Sequence, residues 1–494
     1  MGRTRLLLFW LFFSVLAISL QWTRGALDGT WSGDPDEPAH FLNGVMLLDY
    51  AKSGLGEHPL RYAERYYAHY PRIGLGHWPP FFAIVEAAWF LVAPASYASG
   101  LVLLGLMAAA ISTMLMWLCT RWFPPWIAFG SGIVWLLLPD VRTGTNAFKA
   151  EIPLTLLTLL AVVAYARAST AFGVWSGLAF LTKGSALGLA FLPLVDALLS
   201  RSWRIFRQRW LWVSAAIVVL MAGPWYAFAP YARHEKVRML GGVIRRPLVR
   251  AATIPGSFWE SLGPVLCILA FAGLFIFWSR FREDKTWRAM VVFLPGNLLL
   301  RTMVAVWEPR HFVVLMPELI CLAALGFQFL IACVPAGWAR GALAGVLAVG
   351  STAPFVLWEP PRETVPGTAE AAQAIAQVSM IGGQAALVSG RAGAEGAVIV
   401  EFSLLDAKRP RHTIYRGSKL LADQDAMGRN YTSLLSGPDD TEAILAGRKV
   451  AAVAVDLLAP DQHTGTLLRH LRQSPEAWVP LGVFGDLAVF RRAP

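Results

Sequence analysis

The stretch "GDPDEPAH" at 33–40 places three carboxylates, Asp34, Asp36 and Glu37, beside an imidazole, His40. A carboxylate held this way can take the proton of an attacking hydroxyl, which is the work of a general base. The same residues also suit a helix start, with Asp34 or Asp36 as N-cap and Glu37 in the first turn, where negative charge meets the positive end of the helix dipole. The residues alone leave both readings open. Their place in the chain favours chemistry: the cluster follows the apolar run 5–23 and so stands close to where a first membrane span would end.

Composition says what solvent the rest of the chain meets. Of 494 residues 56% are hydrophobic and 15% charged, with 21 Trp and 28 Phe, and the mean hydropathy is +0.51. A soluble domain of this size could not bury so much apolar surface, so the chain is a membrane protein and membrane lipids are its first partner. The net charge of +11 does not point to nucleic acid. Its Lys and Arg lie in short strings between apolar runs, as in loops facing an anionic leaflet. All four cysteines, Cys119, Cys267, Cys321 and Cys333, lie inside apolar runs, which predicts small buried hydrophobes and no disulfide framework.

At roughly 20 apolar residues per span the chain offers about eleven spans. They lie near 5–23, 97–119, 124–140, 152–167, 171–183, 185–200, 209–229, 260–279, 289–306, 311–333 and 341–357. The first could pass for a signal peptide, but "TRGALDG" is a weak cleavage site and many spans follow. With a cytoplasmic N-terminus, the strings at 201–210 and 279–288 and the residues Arg121, Arg167 and Arg340 all fall on the inner side. That orientation requires 79–94, which opens with two prolines and contains Glu86, to be a short interfacial helix, and 37–54 reads as a second surface helix. A long outer loop, 24–96, then carries the acidic stretch.

Beyond the hinge "EPPRETVPG" the polarity becomes mixed. Runs such as "AALVSG", "AVIVEF", "VAAVAVD" and "LAVFRR" predict strands, and "GTAEAAQAIAQ" and "GTLLRHLRQS" predict helices. The expected architecture is therefore a polytopic α-helical membrane protein, 1–357, followed by a soluble extracytoplasmic α/β domain, 358–494.

Four landmarks carry a resemblance. "PDEPAH" (35–40), "HWPP" (77–80), "LTKG" (181–184) and "EPRHFVVLMPELICLAA" (308–324), in this order and on one membrane side, resemble those of glycosyltransferase family 39. This GT-C family of membrane enzymes includes the protein O-mannosyltransferases and the aminoarabinose transferases. The similarity covers about 1–330; the tail has no counterpart in it. The resemblance implies a GT-C-like fold in the plasma (inner) membrane with an extracytoplasmic active site. It also implies inverting transfer of a sugar from a polyprenyl-phosphate carrier to a lipid, glycan or protein acceptor. It assigns the base to Asp36 rather than Asp34, with Glu151 standing where the family carries a second acid, usually Asp; Glu37 beside Asp36 either supports acceptor binding or begins the helix.

A lipid phosphate leaving group needs cations around the charge that develops on it. The candidates are Lys183, Arg310 and the basic loop with Arg233, His234, Arg245 and Arg246. Lys183, at the end of an apolar run, is costly there unless it snorkels or meets an anion. His311 stands where the family usually has an aromatic. His40 and His77 are expected to contact substrate or the surface helices. A helical rise of ~1.5 Å per residue places Arg301 and Glu318 at similar depth, as a buried pair or facing a watery cavity. No cofactor is certain: His40, His69, His77 and His234 with Asp36 or Glu37 leave a divalent cation open, but no pair has a recognised ligand spacing. The competing function is a transporter or flippase of lipid-linked saccharides, which would gather its ionisable groups at mid-membrane; here they collect at one face.

Overall fold

The computed structural model describes residues 2–74, 76–228, 247–303, 308–358, 363–379, 384–424 and 430–494. The chain forms two compact units: Met1–Gly25, Gly76–Phe82 and Leu101–Pro360 make the first, and Ala26–Leu75, Ala83–Gly100 and Pro361–Pro494 make the second.

The first unit is helical. Six helices are long and apolar enough to cross a bilayer, Arg3–Trp22, Tyr97–Cys119, Arg209–Ala227, Thr253–Phe281, Arg310–Ala332 and Trp338–Leu357, and four shorter apolar helices cover Pro125–Leu137, Glu151–Ala166, Ala171–Phe180 and Gly184–Leu199. Ten of the eleven ranges read from the sequence fall on these. The eleventh, 289–306, falls on Lys285–Met303, which carries Lys285, Arg288 and Arg301 and is too polar to join them. Arg288 pairs at 2.8 Å with the buried Asp196, which also accepts the Tyr165 hydroxyl at 2.8 Å, so charge inside this helix set is compensated. Of the cysteines, Cys119 and Cys321 are buried with sulfurs 3.8 Å apart; Cys333 is exposed, contrary to expectation.

The second unit is built on a five-stranded sheet of order β4-β3-β7-β9-β8. β3 (Ala385–Ser389), β4 (Thr413–Arg416) and β7 (Val450–Asp456) run parallel, and β9 (Leu487–Arg492) pairs antiparallel with β7 and with β8 (Trp478–Phe484). Val453, Val455, Leu467, Leu471 and Trp478 are among its core. The strands expected at "AALVSG", "VAAVAVD" and "LAVFRR" and both expected helices form. The run "AVIVEF" does not form a strand: it lies in helix Ala392–Leu405. Ala397, Val398, Ile399, Val400 and Phe402 are all fully buried, so the run is apolar on every face and its periodicity could not tell helix from strand.

Most of the first loop, Ala26–Leu75 and Ala83–Gly100, belongs to this same unit. β1 (Trp31–Ser32) pairs antiparallel with β2 (Thr364–Val365), and the Trp31 indole donates to Glu401 at 2.8 Å. Helix Asp36–Asp49, expected on the surface, buries Phe41, Leu42, Val45 and Leu48. The far end of the loop is fastened by charge. Arg409 forks onto both oxygens of Asp49 at 2.7 and 3.1 Å, Asp49 accepts the Tyr66 hydroxyl at 3.0 Å, and Asp406 accepts the Tyr70 hydroxyl at 2.6 Å.

Asp406 makes this fastening pH-dependent. Burial opposes its charge, but the bonds from Tyr70 and from the backbone N–H groups of His412, Lys408 and Arg411 outweigh burial and hold its pKa below the ordinary carboxylate range. A depressed folded-state pKa contributes stability above the unfolded value, about 3.9, and that contribution is lost as pH falls through the folded one. Acidification below about pH 4 is expected to lower amide protection, relative to the intrinsic exchange rate, around Tyr70 and 406–412 first. Asp406→Asn should show fast exchange there already at neutral pH and little further change on acidification; an unchanged pH profile in the variant would rule the carboxylate out.

Candidate active site

In the second unit the acidic stretch resolves into distinct roles. Asp34 Oδ1 accepts the N–H of Asp36 at 2.9 Å, a local bond just before the helix, whose N-cap position is Pro35 and carries no side-chain cap. Asp36 opens helix Asp36–Asp49 and is half-buried. Glu37 is fully buried, with Oε2 accepting the Ser32 hydroxyl at 2.6 Å and Oε1 the Tyr97 hydroxyl at 3.0 Å. His40 is buried one turn further on. Arg72, which the sequence reading passed over, donates to the Pro35 carbonyl. Burial, then the neighbouring Arg416, push its pKa down to about 10, while Glu395, Asp36 and Asp34 favour its charge. Nothing local marks Arg72 in the sequence; it lies in the turn that follows helix Pro59–His69.

In the first unit three landmark residues meet at one carboxylate. Glu151 is the first residue of helix Glu151–Ala166 and only 3% exposed. Lys183 sits in extended backbone between helix Ala171–Phe180 and the 3-10 turn Gly184–Phe191, and its Nζ lies 2.5 Å from Glu151 Oε1. Arg310 and His311 come from the 3-10 turn Pro309–Leu315; Arg310 Nε lies 3.8 Å and His311 Nε2 4.0 Å from the same oxygen. Arg310 also pairs at 2.5 Å with Glu308, which is more exposed than Glu151. Each short turn ends an apolar helix or starts one, so polar heads are delivered where the apolar segments stop. Two fixed cations and an imidazole around one buried carboxylate can hold a second anion, with Glu308 as the partner it displaces from Arg310.

The remaining expectations place as follows. His77 is exposed and edge-on to Trp78 at 4.6 Å. Arg233, His234, Arg245 and Arg246 lie outside the described residues, as does the side chain of Arg301; Glu318 is buried. His69 bonds to Thr413 and the His412 carbonyl and is a structural contact of the second unit. Among the described residues no group of three or more His, Cys, Asp or Glu side chains is placed to hold a metal ion.

No family model and no curated protein sequence matches the chain. Solved structures share its fold. ArnT from Cupriavidus metallidurans bound to undecaprenyl phosphate aligns with a TM-score of 0.60 at 14% identity, over 99% of this chain and 98% of that one. The same protein in the apo state gives 0.60 at 15% identity, over 97% of each. The Archaeoglobus fulgidus oligosaccharyltransferase in its apo form gives 0.62 at 10% identity, over 100% of this chain and 75% of that one. Both neighbours are GT-C glycosyltransferases. At such identities the likeness is one of fold: the chain is an integral membrane protein of the GT-C fold that its motifs imply, with a sheet-containing part at its C-terminal end.

Proposed function

We propose that this GT-C-fold protein is an inverting membrane glycosyltransferase that moves a sugar from a polyprenyl-phosphate carrier to a lipid, glycan or protein acceptor on the extracytoplasmic face of the plasma (inner) membrane. The observation that carries the reading is the meeting of Lys183, Arg310 and His311 at Glu151, since an enzyme of this kind must hold a lipid phosphate at the ends of its apolar helices. In the reaction, the acceptor oxygen forms a bond to the anomeric carbon as the bond from that carbon to the phosphate oxygen breaks. The phosphate leaves with the electron pair, stabilised by Lys183 and Arg310, and Asp36 takes the acceptor proton. Glu37, bound to Ser32 and Tyr97, supports Asp36, and Glu151 orients the cations.

The test is transfer of labelled sugar from polyprenyl-phosphate donors by the purified full chain in detergent, together with binding of undecaprenyl phosphate. Lys183→Gln keeps a side chain that can hydrogen-bond Glu151 but loses the charge, and should weaken undecaprenyl-phosphate binding about tenfold to a hundredfold, the worth of a charged hydrogen bond. Binding unchanged in Lys183→Gln would remove the cluster from the donor site. Donor binding with no transfer to any acceptor would favour the transporter instead.

A further inference from the structure

We infer that the C-terminal α/β part is the seat of the acidic stretch, and that Gly393 and Gly396 are positioning residues that fix where Asp36 stands; the inference rests on Asp36 as base. The sequence "GRAGAEG" at 390–396 puts Gly393 and Gly396 in the first turns of helix Ala392–Leu405, although glycine is less favourable than alanine inside a helix. Glycines three apart share one helix face. Here that face is occupied by the acidic stretch. A Cβ on Gly393 would overlap the Gly33 carbonyl, and one on Gly396 would stand 2.8 Å from Arg72 Nε and 2.9 Å from Pro38 Cγ.

The glycine face is one of several holds on the same few residues. Trp31 and Ser32 pair with β2, the Trp31 indole is bound by Glu401 from the same helix as the glycines, and the Gly33 N–H donates to the Glu363 carbonyl at 2.8 Å. The Pro35 carbonyl accepts from Arg72, whose own place against Gly396 is set by that glycine. Asp36 therefore sits in a segment held on both sides, at 31–35 and at 38, by residues more than three hundred positions away or by Arg72. Packing alone would not need this face to be glycine, since the helix buries its apolar residues without it. Close backbone approach does, and what approaches is the stretch that carries the carboxylate.

The experiment compares Gly393→Ala, Gly465→Ala and Asp36→Asn in the full-length protein. Gly465 lies in helix Gln462–Gln473 of the same part with open space where a Cβ would go, so it controls for adding a methyl to this fold. A displacement of the order of 1 Å at a reacting group costs roughly a hundredfold, and Gly393→Ala should lower kcat by about that factor with the donor KM within about twofold of wild type. Amide exchange over 31–38 should quicken in Gly393→Ala while the thermal midpoint holds, and Gly465→Ala should match wild type in every readout. If Gly393→Ala does not fold, Gly396→Ala takes its place with the same expectation. Wild-type kcat and wild-type exchange in the glycine variant, with Asp36→Asn inactive, would overturn the positioning inference and leave the function standing. Full activity in Asp36→Asn would overturn the base assignment, and the exchange over 31–38 would then decide the seating by itself.

Discussion

Asp36→Asn is expected to lower sugar transfer by roughly 10²–10⁴-fold, the range for loss of a positioned general base, with undecaprenyl-phosphate binding and thermal midpoint unchanged. The amide keeps the shape of the side chain at the start of helix Asp36–Asp49 and removes its charge and its capacity to accept a proton. The bond at the helix start is not at stake, because it joins the Asp36 backbone N–H to Asp34. Glu37→Gln should behave differently. Its carboxylate is buried and both oxygens accept hydroxyl bonds, so the amide leaves one of Ser32 and Tyr97 poorly matched, and stability falls together with activity. Turnover of donor by the purified pair of variants, read beside their melting curves, separates the two roles. An active Asp36→Asn with an inactive, well-folded Glu37→Gln would exchange them.

Glu151→Gln should be among the most destabilising single changes in the helical unit. The carboxylate is buried and meets Lys183, Arg310 and His311, so neutralising it leaves cations facing one another without their shared counter-ion, a loss of about 3–5 kcal/mol by the measure of broken buried pairs. Glu151→Asp keeps the charge and shortens the reach by one methylene, and should stay folded with reduced activity. Thermal unfolding in detergent reads both. Because a second anion can stand in for the lost carboxylate, inorganic phosphate should raise the Glu151→Gln midpoint by more than it raises the wild-type one. A variant as stable as wild type would mean that Lys183 and Arg310 find their compensation elsewhere.

Much of this site is legible before folding. Lys183 could be chosen because an ionisable residue at the end of an apolar run is costly and must be paired or used; Arg310 followed from the cations a lipid phosphate needs, and Glu151 from the family resemblance. His311 was noticed only as a departure from the family pattern; its imidazole proves to face the same carboxylate. Arg72 was missed because its contacts, to Pro35 and beside Gly396, join segments with no sequence signal linking them. The run "AVIVEF" misled for a related reason: residues buried on all sides carry no period that separates helix from strand.

The sequence by itself determined the solvent, the helical spans and the inventory of reactive groups, because hydropathy and the price of charge in lipid act over windows of a few residues. It also determined most of the sheet elements of the tail. Only the tertiary structure decided which partners each carboxylate meets. Asp34, Asp36 and Glu37 are near-equivalent as letters; they differ because Ser32 and a tyrosine sixty positions away, Tyr97, engage Glu37, and because strand pairing of Trp31 with Val365 brings the tail to the first loop. Such contacts are fixed by which distant surfaces fit once the chain has collapsed, and no local pattern encodes them.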